Sequence, residues 1–180
     1  MEYPIYFENN WRGSKAVHVK NPDNGTDAYH VNLKGGTSDM DIRRGGPQGP
    51  LVGRVDFHRF SGYTEIHFAH DQRVEMSRDR TFSSAQSLTL PAAPGKSQQF
   101  RWKKESLLAL GSLKLEDSEK NVLAVFKRSS GSRTKDGTLE IKVSGLEQEF
   151  TDQIFVSYLA VSEKLRRQRQ AAAAGMAASS

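Results

Sequence analysis

The sequence predicts a mainly β protein in which a closed antiparallel β-barrel surrounds a central, buried C-terminal α-helix. The first observation is a series of nine short runs, rich in β-branched and aromatic residues, separated by clusters of Gly, Pro, Asn and Asp. The second is a segment at 151–170 that contains neither Gly nor Pro and is apolar on nearly every side of a helix. So many strand-like runs exclude a helical fold and favour an antiparallel sandwich or barrel.

The nine candidate strands follow one another along the first 143 residues. Several alternate apolar with polar residues, and the last does so most regularly, with Leu139, Ile141 and Val143 on one face. The Gly- and Pro-rich stretches at 45–50 and 90–95 are predicted to be loops. In chain order, the candidate strands are 3–7, 16–19, 29–33, 51–58, 64–68, 100–103, 107–115, 122–126 and 138–143.

The segment at 151–170 is predicted to be a helix of about 30 Å. Thr151 is placed to cap its N-terminus, and Asp152 lies where the helix dipole favours an anion. We expect residues 1–170 to form a single domain and residues 171–180 to form a disordered Ala/Ser tail. Stepped at about 100° per residue, the apolar side chains of the helix cover nearly its whole circumference: Ile154, Phe155, Val156, Tyr158, Leu159 and Val161.

A helix that is apolar all round must be buried all round. This one is too short to cross a bilayer, so its first half needs a sheath of protein. A barrel of eight strands has room only for side chains, so a barrel around a helix needs more strands than nine runs provide. The alternative is a helix between two layers of an α+β domain, which periodicity does not separate from a barrel.

Composition narrows the class of protein further. The chain has 180 residues, 36% hydrophobic and 26% charged, with a formal net charge of +5. It has no cysteine, which excludes disulfides, thiolate metal sites and thiol catalysis. The sequence shows no run of about 20 apolar residues and no signal-peptide pattern at its start. We therefore expect a cytoplasmic protein, or one that is peripheral at membranes or nuclear.

Four segments carry a resemblance to a known family: Phe100-Arg101-Trp102, Asn121-Val122-Leu123-Ala124-Val125-Phe126, Gly137-Thr138-Leu139-Glu140-Ile141 and Phe150-Thr151-Asp152-Gln153-Ile154-Phe155-Val156-Ser157. They resemble the tubby C-terminal-like domain family, which includes tubby proteins, LURP-one-related proteins and phospholipid scramblases. The likeness is greatest to small uncharacterised fungal members. The resemblance is best over about 100–169, and it implies a twelve-stranded barrel around a central C-terminal helix. Tubby proteins hold phosphoinositide headgroups with basic residues, but no matching positions carry that site over. The missing cysteine cluster and membrane-spanning C-terminus argue against scrambling.

Basic residues at strand ends and helix end are candidates for binding anionic headgroups, since each Lys or Arg near an acidic membrane contributes about 1 kcal/mol. The alternative is solvated charge on a barrel rim. Nucleic acid is disfavoured because Phe100 and Trp102 share one strand face and are expected in the core. The end of the last helix carries +3 of the +5 charge, so it is the first place to look for a bound anion. The candidates are Arg43, Arg44, Arg101, Lys103, Lys104, Lys127, Arg128, Lys164, Arg166, Arg167 and Arg169.

Three histidines lie close together in sequence, at 58, 67 and 70. If Gly62-Tyr63 is a two-residue hairpin turn, Phe57 pairs with Phe68 and His58 lies opposite His67. With Asp56, Glu65 and Asp71 nearby, a metal-dependent enzyme is conceivable. We expect instead a strand pair with its histidines in solvent, and no metal.

The sequence also lacks the G-x-S-x-G elbow of hydrolases and the lysine and spacing of a phosphate-binding loop. We therefore expect no cofactor and no catalysis. The leading hypothesis is a non-enzymatic module that binds phosphoinositide headgroups through basic loops. The alternative is a structural or regulatory protein-interaction domain without lipid affinity.

Overall fold

The fold is taken from a computed structural model of the full chain. It describes residues 1–9, 15–33, 40–58, 62–69, 72–79, 85–93, 96–105, 111–132 and 134–177.

Twelve antiparallel strands form a closed barrel. Each strand pairs with its neighbours in sequence, and β1 pairs with β12 to close the sheet. The prediction of a mainly β, closed antiparallel barrel is therefore confirmed, and nine strands was an undercount. The strands are β1 (Glu2–Asn9), β2 (Lys15–Lys20), β3 (Asp27–Leu33), β4 (Met40–Arg44), β5 (Leu51–Phe57), β6 (Thr64–Phe68), β7 (Arg73–Arg78), β8 (Gln86–Ala93), β9 (Lys96–Lys104), β10 (Leu113–Glu116), β11 (Val122–Arg128) and β12 (Lys135–Ile141).

The helix α1 (Gln148–Ala177) follows the last strand and enters the barrel. All ten residues from Asp152 to Val161 are buried, including the polar ones, as the apolar circumference predicted. The ring of Phe155 contacts those of Tyr3 and Tyr29 at centroid distances of 4.8 and 4.4 Å. Among the described residues, no helix is both long and apolar enough to cross a membrane.

Gly53 on β5 allows the helix to pack closely against the sheet that forms the barrel wall. A Cβ atom at this position would lie 2.7 Å from a methyl carbon of Val156, which is closer than van der Waals contact allows. On β9, the indole Nε1 of Trp102 donates a hydrogen bond to the Ser157 hydroxyl at 3.0 Å. Phe100 and Trp102 are both fully buried, so they are core residues and do not offer the exposed stacking surface that a nucleic acid would need.

Three strands were absent from the prediction, namely β4, β7 and β8. Both β4 and β7 are short and carry charged residues at outward positions, so only Met40, Ile42, Val74 and Met76 mark their inner faces. The 90–95 stretch was predicted to be a loop, but β8 continues through Pro91 to Ala93, and residues 94–95 lie outside the described ranges. Of the predicted strand at 107–115, the described part begins at Gly111 and its strand at Leu113.

The helix differs from the predicted segment at both ends. It begins at Gln148, and the Thr151 hydroxyl donates to the Glu147 carbonyl at 3.1 Å, so Thr151 is not the N-cap. Phe150, one of the three residues added at the start of the helix, packs on Phe100 at a ring distance of 5.5 Å. At the other end, the alanines predicted to be disordered continue the helix to Ala177, since alanine has the highest helix propensity. Residues 178–180 lie outside the described ranges.

Candidate functional site

The barrel has two ends, which we name by the helix. At the helix-start end, the Arg44 side chain reaches Asp152 in the first turns of α1. At the helix-exit end, Lys164 Nζ donates to the Gly62 carbonyl in the β5–β6 connection at 2.9 Å. Because the strands are antiparallel, β11 also ends, and β12 begins, at the helix-exit end.

A pocket of about 540 Å³, which we call the helix-exit pocket, lies between the helix and the wall at that end. This volume is in the range of small-molecule sites. Apolar side chains from β1 to β4 and from the helix form part of its lining, and hydroxyl and charged side chains form the rest. The lining residues are Ile5, Phe7, Val17, Leu33, Met40, Arg128, Ser129, Ser132, Thr134, Lys135, Asp136, Tyr158, Leu159, Ser162, Glu163, Arg166, Arg169 and Gln170.

Four cations and two carboxylates line the helix-exit pocket. The guanidinium of Arg166 makes two hydrogen bonds to Glu163, at 2.6 and 2.7 Å, and also lies 5.4 Å from the centre of the Phe7 ring. Within the described part of the chain, Arg128, Lys135 and Arg169 have no carboxylate within ion-pair distance. The pocket therefore combines a net positive charge with cations that are free to pair with an anion.

Tyr158 contributes a hydroxyl to the lining from the buried face of the helix. Its ring packs against Phe126 and Trp102 at 4.9 and 5.7 Å. Burial and the nearby Asp136 charge raise the pKa of Tyr158 well above its usual value, although the Ser162 hydroxyl partly offsets this. Among the described residues its Oη has no well-aligned hydrogen-bond partner. The phenol therefore stays neutral and can donate to a bound oxygen.

A second, smaller pocket of about 220 Å³ adjoins the first along β11 and β12. Arg128, Ser129 and Lys135 line both pockets, so they form the wall between them. Lys127 lines only the second pocket, and its ammonium lies 3.5 Å from the Glu140 carboxylate. The protein therefore presents cations in both pockets to a ligand with more than one anionic group.

The eleven predicted basic residues do not converge on one site. Three of them, Arg128, Arg166 and Arg169, line the helix-exit pocket, where the charge count pointed. Lys164 is at the same end but donates to the Gly62 carbonyl and to Gln86 Oε1, and burial lowers its pKa to about 8. Arg167 is held by Glu163 and lies 4.3 Å above the Phe57 ring.

The remaining candidates lie elsewhere on the barrel, and most already have partners. Arg44 binds the buried Asp152, and Arg43 donates to the Gly49 carbonyl at 2.9 Å. On β9, Arg101 pairs with Asp79 at 3.3 Å and Lys103 pairs with Glu116 at 2.6 Å, while Lys104 is exposed. These contacts identify structural ion pairs and make these residues weaker candidates for an anion site.

Two lining residues, Lys135 and Tyr158, are not among the eleven candidates that the sequence predicted. Lys135 lies at the start of β12, three residues before the predicted strand, in the same basic segment as Arg128. The signal that could have found it is the β11–β12 pairing, which places Arg128 opposite Gly137 and so brings Lys135 to the same end. Tyr158 gave no such signal, because it lies among the apolar residues of the helix.

The predicted histidine hairpin has the wrong register. Phe57 pairs with Thr64 rather than Phe68, because the connection spans 58–63 instead of two residues. His67 therefore lies opposite Arg54, not His58. His70 and Asp71 lie outside the described residues.

The buried Glu65 carboxylate nevertheless gathers several partners at this position. His67 lies 2.7 Å from it, Arg73 2.6 Å and His58 3.5 Å, while Asp56 lies 3.3 Å from His67. The ligand atoms of Asp56, Glu65 and His67 are within 4.8 Å of one another. The Arg73 guanidinium already holds one oxygen of Glu65, so the arrangement is that of an ion-pair network.

Comparison with known proteins gives one result. A family model described as a family of unknown function (DUF6593) matches residues 15–168, most of the barrel and the helix. No curated protein and no solved structure matches the chain.

Proposed function

The chain belongs to the family of unknown function DUF6593, and we propose that it is a non-enzymatic binding module that takes a phosphoinositide headgroup at a membrane surface. The helix-exit pocket is the proposed site. This proposal narrows the eleven basic candidates to those at one end of the barrel and adds Lys135 and Tyr158.

The observation that carries the proposal is the pair of cations without carboxylate partners on the wall between the two pockets. Arg128 and Lys135 lie side by side at the β11–β12 end, and each lines both cavities. An inositol ring carries phosphates on more than one carbon, so its charges can be met on both sides of this wall. Charge-assisted hydrogen bonds from Arg and Lys to phosphate are among the stronger polar contacts in proteins.

The rest of the lining supports the same class of ligand. Ser129, Ser132 and Thr134 offer hydroxyl donors to phosphate or inositol oxygens. The apolar floor, which includes Ile5, suits the glycerol and first acyl carbons of a lipid better than a free ion. The described lining contains no histidine, the commonest general base, which supports a binding role over catalysis.

The architecture supports the proposed relationship to the tubby-like domains. Twelve antiparallel strands and an enclosed C-terminal helix agree with what that resemblance implies. Arg128 follows directly on one of the resembling segments, at 121–126, and Lys135 precedes the next, at 137–141. We propose the relationship on these grounds, and the headgroup site on the pocket itself.

The test is a vesicle sedimentation assay with the full chain. Neutral phosphatidylcholine vesicles are compared with vesicles that also contain phosphatidylinositol bisphosphate, over a series of salt concentrations. The variant Arg128→Ala/Lys135→Ala removes two positive charges from the pocket. Its matched control, Arg73→Ala/Lys142→Ala, removes two charges from the helix-start end, where both residues pair with carboxylates.

We expect binding to the phosphoinositide vesicles that weakens with salt and falls at least tenfold in the pocket variant but not in the control. A soluble inositol phosphate should compete. Equal loss in both variants would show attraction to net charge alone and would contradict the pocket. No binding at any salt concentration would contradict lipid recognition and leave the protein-interaction domain as the better hypothesis.

A further inference from the structure

Two histidines that the sequence analysis did not single out face each other on the outer wall of the barrel. His18 on β2 and His30 on β3 are direct cross-strand partners, flanked in the register by the pairs Val17–Val31 and Val19–Tyr29. Val19, Tyr29 and Val31 point into the core. Because side chains alternate along a strand, the two imidazoles share the outer face. Their ring centres are 4.9 Å apart, at an interplanar angle of 70°.

A carboxylate completes the cluster. Asp27 Oδ2 lies 2.9 Å from His18 Nδ1, in a side chain that is only 16% exposed. One ligand atom from each of His18, Asp27 and His30 lies within 4.8 Å of the other two. A tetrahedral metal with bonds of about 2.0–2.1 Å holds its ligand atoms roughly 3.3 Å apart, so small rotamer changes would close the cluster around an ion.

One ring nitrogen of His30 has no hydrogen-bond partner among the described residues. His30 Nδ1 is buried and makes no hydrogen bond to any described residue. Leaving a polar nitrogen buried and unpaired costs free energy, so such atoms are uncommon without a ligand or a functional reason.

We propose that His18, His30 and Asp27 form a site for a divalent transition-metal ion of the zinc class on the outer wall of the barrel. Two imidazoles and one carboxylate are a donor set that suits Zn²⁺ and disfavours Mg²⁺ and Ca²⁺, which prefer oxygen ligands alone. Three protein ligands leave a fourth position for water.

The surroundings of His18 match those of a metal-bound histidine. With Nδ1 on the metal, its Nε2–H donates to Glu8 Oε2, which lies at 2.9 Å. Metal ligands of this type commonly donate their second ring nitrogen to a carboxylate, which fixes the tautomer and the ring orientation. Lys20 lies 2.7 Å from the other oxygen of Asp27, so Asp27 can bind the metal through Oδ2.

The histidine cluster around Glu65 is the natural control. It has only one imidazole within the ligand group, so it lacks the second nitrogen ligand that His30 supplies in the proposed site. His67 is also an outward-facing histidine beside two carboxylates. Replacing it removes the same chemistry from a different strand pair.

The experiment is a calorimetric titration of the untagged, chelator-treated full chain with ZnCl₂. We expect one Zn²⁺ per chain, at least tenfold weaker binding in His30→Ala and in His18→Gln, and unchanged binding in His67→Ala. Thermal melting without zinc checks that each variant is folded. Zinc should raise the melting temperature of the wild type and of His67→Ala, but not that of His30→Ala or His18→Gln.

Histidine-ring NMR of the wild type provides a readout that needs no variant. Zinc should shift the ring signals of His18 and His30 before those of His58 and His67. Absence of binding up to about 1 mM Zn²⁺, equal binding in all variants, or loss confined to His67→Ala would overturn the proposal. None of these outcomes bears on vesicle binding, so the two proposals fail separately.

Discussion

The two ends of the barrel each hold a buried carboxylate of the helix, and the two carboxylates are used differently. Asp152, at the helix-start end, is 6% exposed, and Glu163, at the helix-exit end, is 6% exposed as well. Asp152 accepts hydrogen bonds from Tyr29 on β3, at 2.6 Å, and from Arg44 on β4. Glu163 is bound by Arg166 and Arg167, which belong to its own helix.

The difference is between a bond that joins two elements and a bond within one element. Asp152 fixes the helix to the wall, and Gln148 Nε2 adds a further hydrogen bond to it at 3.0 Å. Glu163 holds Arg166, which lines the helix-exit pocket, and Arg167, which lies on the Phe57 ring. The carboxylate at the helix-start end therefore joins the helix to the barrel wall, whereas the carboxylate at the helix-exit end pairs within the helix.

The largest expected effect lies between the two ends, where the helix is fully enclosed. Phe155→Asp should unfold the domain, because the side chain is completely buried between the uncharged rings of Tyr3 and Tyr29. An unpaired buried charge costs several kcal/mol, a large part of a domain stability of about 5–15 kcal/mol. Circular dichroism melting tests this, with Gln168→Asp on the exposed part of the helix as control. A variant that melts like the parent would contradict the enclosed helix.

The next prediction compares the two carboxylates directly. Asp152→Asn should destabilise the protein by about 2–3 kcal/mol, less than the loss of a fully buried pair because Arg44 can turn toward solvent. Glu163→Gln should cost only about 0.5–1 kcal/mol, since Arg166 and Arg167 are already partly exposed. Urea unfolding measures both values. Equal losses would show that the two ends do not differ in the way described.

Much of this fold could be predicted from one feature, the helix without a polar face. A helix with apolar residues at 154–156, 158, 159 and 161 has almost no polar face, so it must be enclosed by protein. Periodicity left open whether a barrel or two layers enclose it, and a barrel requires more strands than the nine that the sequence displays. The strands that escaped prediction have little apolar surface of their own. In β4, only Met40 and Ile42 are buried, and the rest of the strand is charged.

The sequence indicated the end of the barrel at which the candidate site lies, but not which residues line it. The excess charge at the end of the helix pointed to the end of the barrel at which the helix-exit pocket lies, because cations in the last turns of one helix stay near one another. Which cations remain unpaired depends on contacts between distant strands. Glu163 neutralises part of the predicted charge, while Lys135 adds charge from β12. The pairing of His18 with His30 likewise depends on the register of the β2–β3 hairpin.

A smaller effect concerns pH at the helix-exit end. Burial, with a contribution from Arg78, lowers the pKa of Lys164 to about 8, against about 10.4 for an unfolded chain. Between these values the unfolded chain keeps a proton that the folded protein has released, so this lysine makes the free energy of unfolding rise with pH. The difference in stability between wild type and Lys164→Met should therefore grow in favour of the wild type from about pH 8 to 10.

Urea unfolding at several pH values measures this difference. Lys104→Met, at an exposed lysine of β9, is the matched control and should show no such trend. A difference for Lys164→Met that is flat or falls with pH would mean that Lys164 is solvated in the folded state. The ammonium would then be as free as the other cations at the helix-exit end.

The smallest effect on stability is expected where the largest effect on binding is proposed. Arg128→Ala/Lys135→Ala removes two cations that have no carboxylate partner among the described residues, so the free energy of unfolding should change by no more than about 0.5 kcal/mol. Relief of repulsion at the positive helix-exit end could even raise it slightly. Urea unfolding beside the vesicle assay gives the comparison. A loss above about 1 kcal/mol would mean that these side chains hold the barrel together, and the contrast between a stabilising end and a binding end would fail.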